Sequence, residues 1–146
     1  MPPFETILLA TDGSAASDDA SEHAIDLASQ VEARLLVVSV LSGSSHRAEA
    51  QQDGGDSRDS LTSQAQAIVV RAKAAGVNAT FLVWEGEPGD AIVAAADAEA
   101  ADMIVVGSHG RSGVSRFLIG SVSDYVVRHA HCPVMVVRAR LEAARR

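Results

Sequence analysis

Lysine occurs once in this chain, at Lys73, cysteine once, at Cys132, and aromatic residues only at Phe4, Phe81, Trp84, Phe117 and Tyr125. Each scarcity excludes a class of function. A nucleotide-binding P-loop closes on a Gly-Lys-Ser/Thr step, whereas Lys73 stands in Arg71-Ala72-Lys73-Ala74-Ala75, so that loop is absent. A Schiff-base mechanism would depend on this same lysine, inside a helical pattern. One cysteine leaves no intramolecular disulfide and no Cys-rich zinc site. The scattered aromatics make no base-stacking platform. A net charge of −7 argues against a general nucleic-acid binder, which needs a basic face for phosphates. No apolar run reaches the ~18 residues of a membrane span. The start Met1-Pro2-Pro3-Phe4-Glu5 lacks a signal-peptide profile, so the cytoplasm is the expected location.

What is present is an alternation of short apolar runs with helical patterns. Thr6–Ala10 reads as a strand closed by the turn residues Thr11-Asp12-Gly13-Ser14. Helical spacing of Ala20, Ala24, Leu27, Ala28 and Val31 follows from Ser17, a suitable N-cap, to Val31. Arg34–Leu41 is a second strand. Ser42–Ser60 holds almost nothing apolar and three glycines, and is expected to be a long mobile loop. Leu61–Ala75 is a helix stopped by Gly76, Asn78–Trp84 a third strand and Pro88–Ala100 a third helix. Met103–Val106 is a fourth strand, Ser121–His131 a fourth helix and Pro133–Arg138 a fifth strand, before a tail over 139–146. Unbroken Val/Ile/Leu strands belong to parallel sheets covered on both faces. The expected fold is one α/β domain over 1–146, an open doubly wound five-stranded parallel sheet with helices on both faces.

Ligands of such sheets lie beyond the carboxyl ends of the strands, where the strand order reverses. Two segments leave strand ends with a suitable composition. One is Ala10-Thr11-Asp12-Gly13-Ser14. The other runs from Gly107-Ser108-His109-Gly110-Arg111-Ser112-Gly113 to Gly120-Ser121-Val122-Ser123. Gly107 and Gly110 allow tight turns and close backbone approach. Gly120 and Ser121 open a helix, whose free N–H groups and positive dipole end attract anions. The hydroxyls of Ser121 and Ser123 are candidate donors, and Arg111 or Arg116 a candidate counter-charge. Asp12 suits a ribose, a base amine or a magnesium ion carried by phosphates. Residues 107–146 carry seven bases and two acids, so the positive charge gathers around this segment.

The spacing Gly107-x2-Gly110-x9-Gly120-Ser121 matches the ATP-binding signature of the universal stress protein family, and the surrounding VVGSHGRSGVSRFLIGSVSDYVVRHAHCPVMVV resembles its C-terminal block. The opening ILLATDGS and the stretch EGEPGDAI are also similar to it, so the resemblance covers nearly the whole chain. It implies a sheet of order 3-2-1-4-5, of the adenine-nucleotide α-hydrolase-like kind. The ligand it implies is ATP, with or without Mg²⁺. Adenine would be held by Ala10, Thr11, Asp12 and the backbone of Val40. Ribose and phosphates would meet Val106, Gly107, His109, Gly110 and Arg111, then Gly120, Ser121, Val122 and Ser123. A homodimer through the fifth strand (Val134, Met135, Val136, Val137, Arg138) is implied as well, with a tetramer the alternative. A bare apolar edge strand independently invites pairing.

The resemblance implies a nucleotide sensor in the stress response, acting on a regulatory protein partner, with no catalytic residue and at most slow incidental hydrolysis. Two alternatives stay open: an adenine-nucleotide enzyme with weak ATPase or adenylating activity, and an interaction module that binds no nucleotide. His109 is expected to hydrogen-bond rather than catalyse. His129 and His131, two residues apart, do not share a helix face and make no metal site. Cys132 is expected to pack as a small apolar group, and Trp84 to belong to the core.

Overall fold

The structure, a computed structural model, describes residues 4–12, 15–41, 43–108 and 120–138, of which 15–17 and 43–57 as backbone only. Thr6–Thr11 forms β1, and each of its residues is buried. A strand with Ile7, Leu8 and Leu9 in succession has apolar surface on both sides, so it is most stable at the centre of a doubly covered sheet. That is its place. β2 (Arg34–Leu41) and β4 (Met103–Gly107) flank it, with β3 (Ala79–Glu85) outside β2 and β5 (Val134–Val137) outside β4. All pairings are parallel, and the order is 3-2-1-4-5, as expected.

Side-chain alternation along the strands divides the core in two. Ile7, Leu9, Leu35, Val37 and Val105 face α1 (Ala15–Val31) and α2 (Gly43–Ala74), which contribute Ala20, Ala24, Ala28, Ala65, Ile68 and Ala72. Leu8, Leu36, Val38, Ile104 and Val106 face α3 (Pro88–Ala98) and α4 (Ser121–His129), which contribute Ile92, Ala95, Ala96 and Val126. At the amino edge, Asp102 Oδ2 accepts the N–H groups of Glu5 at 2.9 Å and Thr6 at 3.0 Å, tying the start of β1 to the start of β4. No helix among the described residues is long and apolar enough to cross a membrane.

Three helices end alike. After α1, α2 and α3 a residue turns left-handed: Glu32 (φ 61°), Gly76 (φ 84°) and Ala100 (φ 54°). The next N–H then bonds back five residues, Ala33 to Ala28, Val77 to Ala72 and Ala101 to Ala96. This closes the last turn and satisfies carbonyls that would otherwise be orphaned. Only Gly76 advertises the stop in the sequence, so α3 ends at Ala98 rather than at the expected Ala100.

Three other expectations are corrected. α2 begins at Gly43, where a loop over 42–60 was expected. The stretch lacks apolar periodicity, but it also lacks proline and is supplied with Ala, Gln, Glu and Arg. A helix that is polar all round leaves no periodic trace. α1 begins at Ala15, so Ser17 lies inside the helix and does not cap it. α4 ends at His129 instead of His131, because Pro133 is incompatible with a continuing helix and Ala130 is already extended (ψ 151°).

Candidate functional site

Because every strand is parallel, Thr11, Leu41, Glu85, Gly107 and Val137 end at one edge of the sheet. From β1 the chain crosses to β2 on one side, while β4 lies on the other, so the strand order reverses between β1 and β4. The last pair there is Leu9 with Val105, which leaves Ala10 and Thr11 of β1, with Asp12 after them, and Val106 and Gly107 of β4 to form the rim. Thr11 is buried and Asp12 half-buried. Val40 lies on β2 in register with Trp84, near the same edge. His109, Gly110, Arg111 and Arg116 fall outside the described residues.

α4 is joined to this rim through Ser108. The Ser108 N–H donates to Val137 O at 2.9 Å, and Ser108 O accepts the N–H of Gly120, the residue before α4. Asp124 N–H makes the first intrahelical bond, to Gly120 O at 2.8 Å. The N–H groups of Ser121, Val122 and Ser123 therefore take no partner among the described residues, and no side chain caps the helix. Three adjacent donors at the positive end of a helix dipole are an arrangement that attracts anions in proteins generally. Ser121 is exposed there.

Ser123 behaves differently from the expectation. It is buried, and its hydroxyl lies 3.0 Å from Gly120 O and 3.3 Å from Ser108 O. Its only hydroxyl proton is thus directed inward, and what remains for a ligand is its backbone N–H. Two hydroxyls at the carboxyl edge are buried without a hydrogen-bond partner among the described residues, Ser39 Oγ (1% exposed) and Ser108 Oγ (3%). A buried polar group left unpaired costs about 1–3 kcal/mol, so natural folds keep few of them. Neither was singled out beforehand. The available signal was Ser39 itself, the one uncharged polar residue in the strand RLLVVSVL.

The remaining singled-out side chains sit in structural roles. Trp84 packs half-buried against the α3/α4 core, as expected, and so does Cys132. Burial pushes the Cys132 thiol up from its ordinary value, and the carboxylates of Asp97 and Asp102 push it further. His131 Nδ1 lies 3.1 Å from the Asp97 carboxylate, and His129 stacks on Tyr125 with ring centroids 4.0 Å apart. Among the described residues no group of three His, Cys, Asp or Glu side chains can hold a metal ion.

Comparison with known proteins places this geometry in a family. The model of the universal stress protein family matches residues 3–138. Universal stress protein MJ0531 of Methanocaldococcus jannaschii is 32% identical over 140 residues, which cover 92% of this chain and 82% of that protein. Among solved structures, universal stress protein UspA from Lactobacillus plantarum superposes with a TM-score of 0.84 at 24% identity, covering 92% of this chain and 98% of that one. A universal stress protein in complex with cAMP superposes with a TM-score of 0.72 at 29% identity, covering 94% and 98%.

Proposed function

The chain belongs to the universal stress protein family, and from that premise we propose that it binds an adenine nucleotide, ATP first among them, across the β1/β4 rim, and acts as a regulatory module rather than as an enzyme. The observation that carries this is the set of N–H groups on Ser121, Val122 and Ser123 that take no partner among the described residues, held beside the end of β4 by the Gly120–Ser108 bond. Backbone amides at a helix start bind phosphate without lysine, which this chain almost lacks. Gly107 gives the phosphates room on the strand side, and the glycine spacing extends the cradle through Gly110.

In this reading Ala10, Thr11, Asp12 and the backbone of Val40 hold the base and ribose. Val106, Gly107, His109, Gly110 and Arg111 border the phosphates with Gly120, Ser121, Val122 and Ser123. The hydroxyls of Ser39 and Ser108, without a partner among the described residues, support a polar occupant at this edge. The relative solved with cAMP supports an adenine ligand. When ATP carries Mg²⁺, the ion would neutralise phosphate charge, and Asp12 is the carboxylate this reading assigns to it.

Binding alters the surface offered to a regulatory protein around the phosphates. β5 is an edge strand whose Val134, Met135 and Val136 are only half-buried, and a homodimer through Val134–Arg138, or a tetramer built from it, covers that edge. The cytoplasm is the proposed location. The test is a direct titration of the protein with ATP, AMP and cAMP, each with and without Mg²⁺, followed by calorimetry. Saturable binding with one site per chain supports the reading. Loss of binding with retained dimerisation in Gly120→Val would locate the ligand at α4. No heat with any nucleotide leaves the interaction module as the function, and pyrophosphate release would instead favour an adenylating enzyme.

A further inference from the structure

The N–H groups of Ser121, Val122 and Ser123, without a partner among the described residues, can serve a phosphate only if α4 is held at a fixed angle to the sheet. α4 has nine residues, of which Ser123 and Val126 alone are buried. A helix of that length is marginal on its own, so its orientation depends on its few tertiary contacts. Ser123 and Val126 fix its sheet side. On its other side stands Tyr125, one turn below Ser121 on the same stripe, since residues four apart lie on one helix face.

Tyr125 reaches α3. Its hydroxyl donates to Asp90 Oδ1 in the first turn of that helix. Its side chain packs closely on Gly89: a Cβ built there would come 2.6 Å from Tyr125 Cδ1 and 2.8 Å from Cγ, distances that real Cβ atoms essentially never show. Glycine at this position is therefore a requirement of the ring, not of the backbone, because Gly89 is an ordinary helical residue. His129 stacks on the ring, and its Nδ1 also lies 2.9 Å from Tyr125 O. The ring thus contacts residues of both α3 and α4, one turn from the amides of the helix start.

We propose that Tyr125 is a positioning residue for the nucleotide site: by docking on Gly89 and Asp90 it sets the angle of α4, and thereby the aim of the Ser121–Ser123 amides at the phosphates. The inference rests on the nucleotide-binding reading above. The phenol stays protonated, and so able to donate, well into the alkaline range, because Asp90 opposes its ionisation. Tyr125 touches no ligand itself. Its effect passes through the helix.

Two uncharged changes disturb the contact from opposite sides, Tyr125→Phe, which removes the hydroxyl, and Gly89→Ala, which displaces the ring. For wild type and both variants, affinity for ATP with Mg²⁺, thermal midpoint and amide hydrogen exchange of residues 121–124 are measured. Tyr125→Phe is expected to bind ATP about three- to tenfold more weakly, the scale of one partly screened hydrogen bond. Its thermal midpoint should stay within about 3 °C of wild type, with faster exchange at 121–124 in the nucleotide-free protein. Gly89→Ala is expected to weaken ATP at least as much. A merely structural contact would lower the midpoint and leave affinity unchanged, which overturns the proposal. Wild-type affinity and exchange in both variants overturn it as well, while the nucleotide reading stands. Failure of wild type to bind ATP sinks that reading and this inference together.

Discussion

The buried hydroxyl of Ser123 lies 3.3 Å from the carbonyl of Ser108, so the first turn of α4 is fastened to the exit of β4 by a side chain that a ligand site would otherwise use. Ser123→Ala removes this contact and the 3.0 Å contact to Gly120 O together. The expected loss is about 1 kcal/mol of stability, the usual net value of such a bond. Urea unfolding reads it. ATP affinity should fall as well, since the amides lose an anchor, whereas Ser121→Ala, at an exposed hydroxyl, should leave stability unchanged.

The left-handed residues after α1 and α3 are not glycines. Ala100 at φ 54° and Glu32 at φ 61° pay a steric cost that glycine avoids. Ala100→Gly and Glu32→Gly are each expected to stabilise by about 0.5–1 kcal/mol, after allowing for the greater freedom of glycine in the unfolded chain. Gly76→Ala, at φ 84° with open space around its Cβ, is expected to destabilise by a similar amount, purely through the backbone. Denaturant midpoints of the three variants check the signs.

Tyr125 is the sole tyrosine, so its ionisation is read without interference from others by tyrosinate absorbance. The hydrogen bond to Asp90 raises its pKa first, then partial desolvation and the charge of Asp90. The folded protein should therefore titrate above the ordinary tyrosine value. A group whose folded pKa is raised lends stability that is complete below the unfolded value and is lost as pH climbs through the folded one. Asp90→Asn should bring the transition back toward that of a free tyrosine.

Cys132 should be slow to alkylate. Its thiol is pushed up chiefly by burial, then by Asp97 and Asp102, so at neutral pH it is less ionised than a free cysteine. Iodoacetamide is expected to react more slowly with folded protein than with protein in urea. Asp97→Asn, which removes one of the two charges while keeping an acceptor for His131, should speed the reaction and shift its pH profile downward.

The sheet was legible in the sequence because each strand is an unbroken apolar run, and α1 and α3 because their small apolar residues recur at helical spacing. The first half of α2 was not, since a helix with no apolar face offers no period to detect. Nor were the caps at Glu32 and Ala100, where the bonding from Ala33 to Ala28 and from Ala101 to Ala96 overrides residue preference. The segment 107–123 stands out as chemistry through its glycine spacing, and the structure joins its described ends, Ser108 to Gly120, at the sheet edge where β1 also ends. What spacing could not supply is side-chain direction. It did not foretell that Ser123 turns inward, or that Tyr125 crosses to Asp90, a contact spanning 35 positions in the chain.

The most direct test of the central claim is the identity of what the protein carries. Protein purified without added nucleotide is denatured, and the supernatant is chromatographed against adenine-nucleotide standards. An adenine nucleotide released at close to one per chain from wild type, and lost from Gly120→Val that still folds, is the result predicted. A supernatant free of nucleotide, together with no uptake when ATP and Mg²⁺ are then supplied, would contradict it.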